Sequence, residues 1–88
     1  MAERRAVIAS RVGLHARPAA AFVQAVQKAG TSVTIAKGEG PEVDAASILN
    51  VLTLNAAAGD EVVLRADGAG ADAALDSLAS LLASDLER

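Results

Sequence analysis

Apolar positions along the chain change their period several times, and each change predicts an element. Ala6-Val7-Ile8-Ala9 is a short continuous apolar run, the pattern of a buried strand, and Ser10-Arg11 ends it. From Ala16 to Ala29 the period is helical, with Ala19, Phe22, Val23 and Val26 on one face and Gly30 placed to terminate the helix. Ser32-Val33-Thr34-Ile35-Ala36 alternates polar and apolar, which predicts a half-buried strand. Lys37-Gly38-Glu39-Gly40-Pro41 is turn chemistry, after which Glu42-Val43 can pair back as a short strand.

Ser47 to Thr53 reads as a short helix. The stretch from Asn55 to Asp60 then connects to Glu61–Ala66, an alternating strand with Val62, Leu64 and Ala66 on one face. The last segment, from about Gly70 to Leu86, sets Leu75, Leu78 and Leu82 at helical spacing, with Asp72, Asp76 and Ser80 elsewhere around the wheel. The order β-α-β-β-α-β-α predicts an α+β fold. Three helices on one face of a four-stranded, mainly antiparallel sheet form an open-faced sandwich. No repeat, linker or low-complexity tract divides residues 1–88, so a single domain is expected.

Composition narrows the chemistry. Hydrophobic residues make up 52% of the 88, but Phe22 is the single aromatic, so the core must be built from Val, Leu, Ile and Ala. With no cysteine there is no disulfide and no thiolate chemistry, and one histidine without cysteine makes no structural zinc site. The eight basic residues are scattered and the formal net charge is −3, which fits no nucleic-acid surface. Met1 to Ala6 lacks the apolar run of a signal peptide, and no stretch approaches the roughly 20 apolar residues of a membrane span. A cytoplasmic protein without direct membrane insertion is expected.

The candidate chemistry sits where the first helix begins. His15 is the only histidine, and it directly precedes the predicted helix in Gly13-Leu14-His15-Ala16-Arg17-Pro18-Ala19-Ala20. A neutral imidazole is a nitrogen nucleophile near pH 7. The N–H groups of a first helical turn and the positive end of the helix dipole favour an anion there, and Arg17 adds a charged fork matched to phosphoryl oxygens. Pro18 suits a first turn because its missing N–H would have no intrahelical partner, and Gly13 permits a tight or positive-φ approach. The residues therefore point to an exposed imidazole that holds a phosphoryl group. The competing reading is a surface or packed histidine without chemistry.

The string Gly13-Leu14-His15-Ala16-Arg17-Pro18-Ala19 resembles the active-site signature of the HPr family, the histidine-containing phosphocarriers of the phosphoenolpyruvate-dependent sugar phosphotransferase system (PTS). Val43-Asp44-Ala45-Ala46-Ser47-Ile48-Leu49-Asn50-Val51-Leu52-Thr53-Leu54 resembles the family's second segment, and the similarity spans residues 3 to 86. The resemblance implies a relay in which phospho-enzyme I donates to His15 and phospho-His15 passes the group to a IIA domain. It implies Nδ1 as the reacting nitrogen, Arg17 as the stabiliser of the phosphoryl group, and a transient partner surface of Ala16, Pro18, Ala20, Leu49 and Leu52. No metal or bound cofactor is implied, and a monomer is the simplest form for a carrier that presents one face to successive partners. The helix end and Arg17 should disfavour protonation of free His15 and favour imidazolium once the phosphoryl group is attached.

Ser47 carries two readings: an N-cap whose hydroxyl accepts a backbone N–H, or the serine that many relatives present to a regulatory kinase. The chain departs from those relatives at Ala46, Leu49 and Asn50 around this serine. It departs again at Val12, where many have a small polar residue; orientation of His15 then falls to Ser10 or a backbone group. Leu49 and Leu52, at i and i+3, fit either core packing or an exposed docking patch. Alternative functions are a paralogous carrier of a nitrogen-related or dihydroxyacetone-kinase branch, a non-catalytic regulator of the same fold, or a small ligand-binding α+β domain.

Overall fold

The computed structural model describes residues 2–9, 13 and 16–83. The elements are β1 (Ala2–Val7), α1 (Ala16–Ala29), β2 (Val33–Lys37), β3 (Val43–Asp44), α2 (Ile48–Thr53), β4 (Glu61–Ala66) and α3 (Ala71–Ala83). The strands form one sheet in the order β1-β4-β2-β3, and every neighbouring pair is antiparallel. The three helices lie on one face of it, as the element order predicts.

Each helix is anchored by the stripe its spacing sets up. Ala19, Phe22, Val23 and Val26 of α1 are buried, and so are Leu75, Leu78 and Leu82 of α3. They meet Val33 and Ile35 of β2 and Val62, Leu64 and Ala66 of β4 in one apolar cluster. Phe22, the single aromatic, is fully buried in this cluster, so aliphatic packing rather than aromatic stacking holds the core. Alanine, the best helix former, fills much of α1, and Gly30 at φ +70° ends it in the left-handed region that glycine enters without strain.

The first strand differs from the expectation. It runs over Ala2–Val7 rather than Ala6–Ala9, pairing from Ala2↔Ala66 to Val7↔Glu61. Its arginines are accommodated because β1 is an edge strand with carboxylates on both sides. Arg4 Nε donates to Asp76 of α3 at 2.7 Å and its Nη2 to Asp72 at 3.3 Å, while Arg5 Nη1 donates to Glu61 at 3.1 Å. Ile8 and Ala9 leave the ladder; the Ile8 N–H donates to Asp60 O and the Ala9 N–H to Leu82 O. The second and third strands are each shifted one residue towards the C-terminus, to Val33–Lys37 and Val43–Asp44. The last helix begins at Ala71 rather than Gly70, and its expected end at Leu86 lies outside the described residues.

The sheet face away from the helices carries a charge network. Arg65 Nε donates to Glu3 at 2.9 Å and its Nη1 to Glu42 at 2.5 Å, and Glu42 also accepts the Thr34 hydroxyl at 2.7 Å. Val63 and Ala36 are cross-strand partners on this face, and both are buried beside Arg5, Arg65 and the 38–40 turn. Alternation alone predicts only Val62, Leu64 and Ala66 as the inward set of β4.

Candidate functional site

The chain enters α1 from Gly13, which is buried at φ +74°. A Cβ there would stand 2.5 Å from Ala56 O and 2.9 Å from Ala57 Cα, so only glycine lets the two backbones meet. His15 lies outside the described residues, as do Ser10 and Val12. The helix begins at the next position in the chain, and its first turn contains no acidic residue, so nothing on it offsets the positive dipole end.

Arg17 is exposed in that first turn. Pro18 is fully buried. Its ring packs inward and fixes the entry to the helix, so it offers a partner no contact area; this corrects its expected place on the partner surface. Ala20 is half-buried, and the side chain of Ala16 lies outside the described residues.

The second segment runs back alongside the first. Gln27, near the end of α1, donates to Ala46 O ahead of α2 at 3.2 Å, and beyond α2 the chain presses on Gly13 ahead of α1. The two helices are therefore antiparallel, and α2 finishes towards the start of α1. Ser47 is the N-cap of α2, extended at φ −107° and ψ 118°, with its hydroxyl accepting the Asn50 N–H at 3.5 Å. Val51 is buried and Leu52 half-buried against the core, whereas Leu49 is 71% exposed and Ile48 39%. The two leucines thus divide the readings between them. Leu52 belongs to the packing, and Leu49 with Ile48 forms an apolar surface on the helix that leads to the site.

Sequence reading treats Asn55–Asp60 as a plain connector, but the structure makes it the support of the Gly13 segment. Asn55 is left-handed at φ +53°, and Ala56 is fully buried. Asp60 Oδ2 accepts the Ala57 N–H at 2.9 Å, and Lys37 Nζ lies 3.5 Å from the same oxygen. The Ala57 N–H holds the Asp60 carboxyl below its ordinary range; desolvation opposes it, and the charge of Lys37 adds a lesser lowering effect. The Gly59-Asp60 pair after Asn55 is turn chemistry in the sequence, but nothing there says which backbone the turn touches.

Among the described residues no three or more His, Cys, Asp or Glu side chains gather as a metal site, and no helix is long and apolar enough to cross a membrane. A groove of about 510 Å³ lies between α1 and α3, lined by Ala25, Ala29, Ala74, Leu78 and their neighbours. It includes neither Gly13 nor Arg17.

Comparison with known proteins agrees with this architecture. Residues 2–84 match the family model PTS-HPr, described as the PTS HPr component phosphorylation site. The phosphocarrier protein HPr of Streptomyces coelicolor is 54% identical over 87 residues, covering 99% of this chain and 94% of that protein. A crystal structure of HPr from Thermoanaerobacter tengcongensis superposes with a TM-score of 0.91 at 34% identity, covering 100% of this chain and 98% of the other. An HPr dimer from the same organism superposes with a TM-score of 0.75 at 34% identity, covering all of both chains. The chain belongs to the HPr family of PTS phosphocarriers.

Proposed function

We propose that this chain carries a phosphoryl group on His15, accepted from phospho-enzyme I and passed to the IIA domain of a sugar-specific permease. The observation that supports the reading is the HPr family match over residues 2–84, in a chain whose single histidine directly precedes a helix with an exposed arginine and no acid in its first turn. In the accepting step the lone pair of neutral His15 forms a nitrogen–phosphorus bond as the bond from phosphorus to the donor breaks. The returning step reverses this on the IIA histidine. Arg17 and the helix end stabilise the charge spread over the phosphoryl oxygens, which is the main demand of phosphoryl transfer on a protein.

Leu49 and Ile48 supply an apolar contact for both partners, and the interface is small enough to release quickly. The carrier acts in the cytoplasm as a monomer and needs no metal or bound cofactor. Ser47 is half-buried as the cap of α2; a kinase that modified it would add charge beside the apolar patch, and mass spectrometry after incubation with ATP and the kinase reads that directly.

The test is phosphorus NMR of the chain mixed with enzyme I and phosphoenolpyruvate, with His15→Ala as control. An acid-labile phosphohistidine signal that vanishes in the variant is the expected result. A folded wild-type chain that stays unphosphorylated would overturn it, and so would His15→Ala accepting phosphate at the normal rate.

A further inference from the structure

The turn from Asn55 to Asp60 is tied to the chain at Ile8 and again at Gly13, both ahead of His15 in the sequence. The Gly59 N–H donates to Ile8 O at 2.9 Å and the Ile8 N–H to Asp60 O at 2.9 Å, at the end of the first strand region. Five positions later Gly13 lies against Ala56 and Ala57, with no room for a side chain between them. One turn therefore holds the chain at two points, Ile8 and Gly13.

The turn in its own right is held by Asp60. Its Oδ2 accepts the Ala57 N–H at 2.9 Å while its N–H donates to Ala57 O at 3.0 Å, so Ala57 and Asp60 close on each other through both backbone and carboxylate. Lys37, the last residue of β2, donates to Asn55 O at 3.4 Å and faces the carboxylate at 3.5 Å. These groups are partly exposed and add little to global stability. Their geometric effect is larger, because the peptides they fix are the ones on which Gly13 rests. Transfer rates are sensitive to placement, and a shift of about 1 Å in a reacting group can cost on the order of 100-fold.

We propose that Asp60, supported by Lys37, is a positioning residue for phosphoryl transfer, acting through the 55–60 turn and Gly13 to place the segment that carries His15. The proposal rests on the carrier function given above. Asp60 acts through Ala57 rather than by touching the phosphoryl group.

The experiment measures single-turnover phosphorylation by phospho-enzyme I for the wild-type chain, Asp60→Ala and Asp60→Asn, with urea unfolding of each. The expected loss for Asp60→Ala is about tenfold in the transfer rate, with its urea midpoint close to wild type and the half-saturating enzyme I concentration unchanged. Asp60→Asn keeps an oxygen for the Ala57 N–H and should recover most of the rate. The His15 ring resonances should shift in Asp60→Ala and return in Asp60→Asn. Wild-type transfer rates in Asp60→Ala would overturn the proposal, as would a loss in both variants that simply follows lost stability. A wild-type chain that accepts no phosphate is a different failure, since it removes the carrier function itself and the positioning role with it.

Discussion

Gly13 and Ala56 are in backbone contact across two segments that lie more than 40 residues apart in the chain: a Cβ on Gly13 would stand 2.5 Å from Ala56 O. Gly13→Ala meets two separate obstacles. A left-handed φ costs a non-glycine residue about 1–2 kcal/mol, and relieving the overlap with the 56–57 backbone adds about 1–3 kcal/mol on the scale of overpacked cores. Urea unfolding should show a loss of at least about 2 kcal/mol on those two scales. A variant as stable as the wild type would mean that the two segments do not meet as described.

Arg17→Ala should separate charge stabilisation from folding. The side chain is exposed, so the urea midpoint should hardly move. Removing a donor aimed at transition-state charge costs about 100- to 1,000-fold in well-organised sites, and an exposed arginine should lie below that, near about tenfold. Stopped kinetics with phospho-enzyme I provide the measurement. An unchanged rate would leave the helix end alone as the source of stabilisation.

Leu49 and Leu52 should behave oppositely although they are one helical turn apart. Leu49→Ala changes a residue that is 71% exposed and should leave stability within about 0.5 kcal/mol, while raising the enzyme I concentration needed for half-maximal transfer. Leu52→Ala opens the half-buried side of α2 and should lower stability by about 1–2 kcal/mol, below the range of fully buried leucines. Paired unfolding and transfer assays would sink the division if both variants lost the same property.

The open sheet face should respond to acid. The Thr34 hydroxyl, and after it Arg65, hold the Glu42 carboxyl below its ordinary range. Since the folded value is depressed, this stabilisation is present above the unfolded carboxylate value and is lost as pH falls through the folded one. Thr34→Val should therefore lose stability near neutral pH, and the difference from wild type should shrink below about pH 4, where unfolded carboxylates are already protonated. Urea midpoints from pH 3 to 7 check the sign; a difference that grows on acidification would contradict it.

Much of the architecture is written in local patterns. The α1 range from Ala16 to Ala29 and the β4 range from Glu61 to Ala66 coincide with the elements that their spacing predicts, because both present apolar stripes long enough to set a period. The candidate chemistry is also local, since His15 and Arg17 stand two positions apart in sequence. What the pattern could not supply was the start of β1 at Ala2, since arginines at positions 4 and 5 look foreign to a strand until Asp72, Asp76 and Glu61 are brought beside them.

The sequence by itself determined the element order, the buried stripes of α1 and α3 and the single histidine ahead of a helix, because periodicity, capping and turn chemistry act between near neighbours. Only the tertiary structure decided that Pro18 turns inward, that Leu52 packs while Leu49 stays outside, and that the 55–60 turn supports Gly13. Those outcomes depend on contacts between distant segments, and no local period encodes which backbone will meet which.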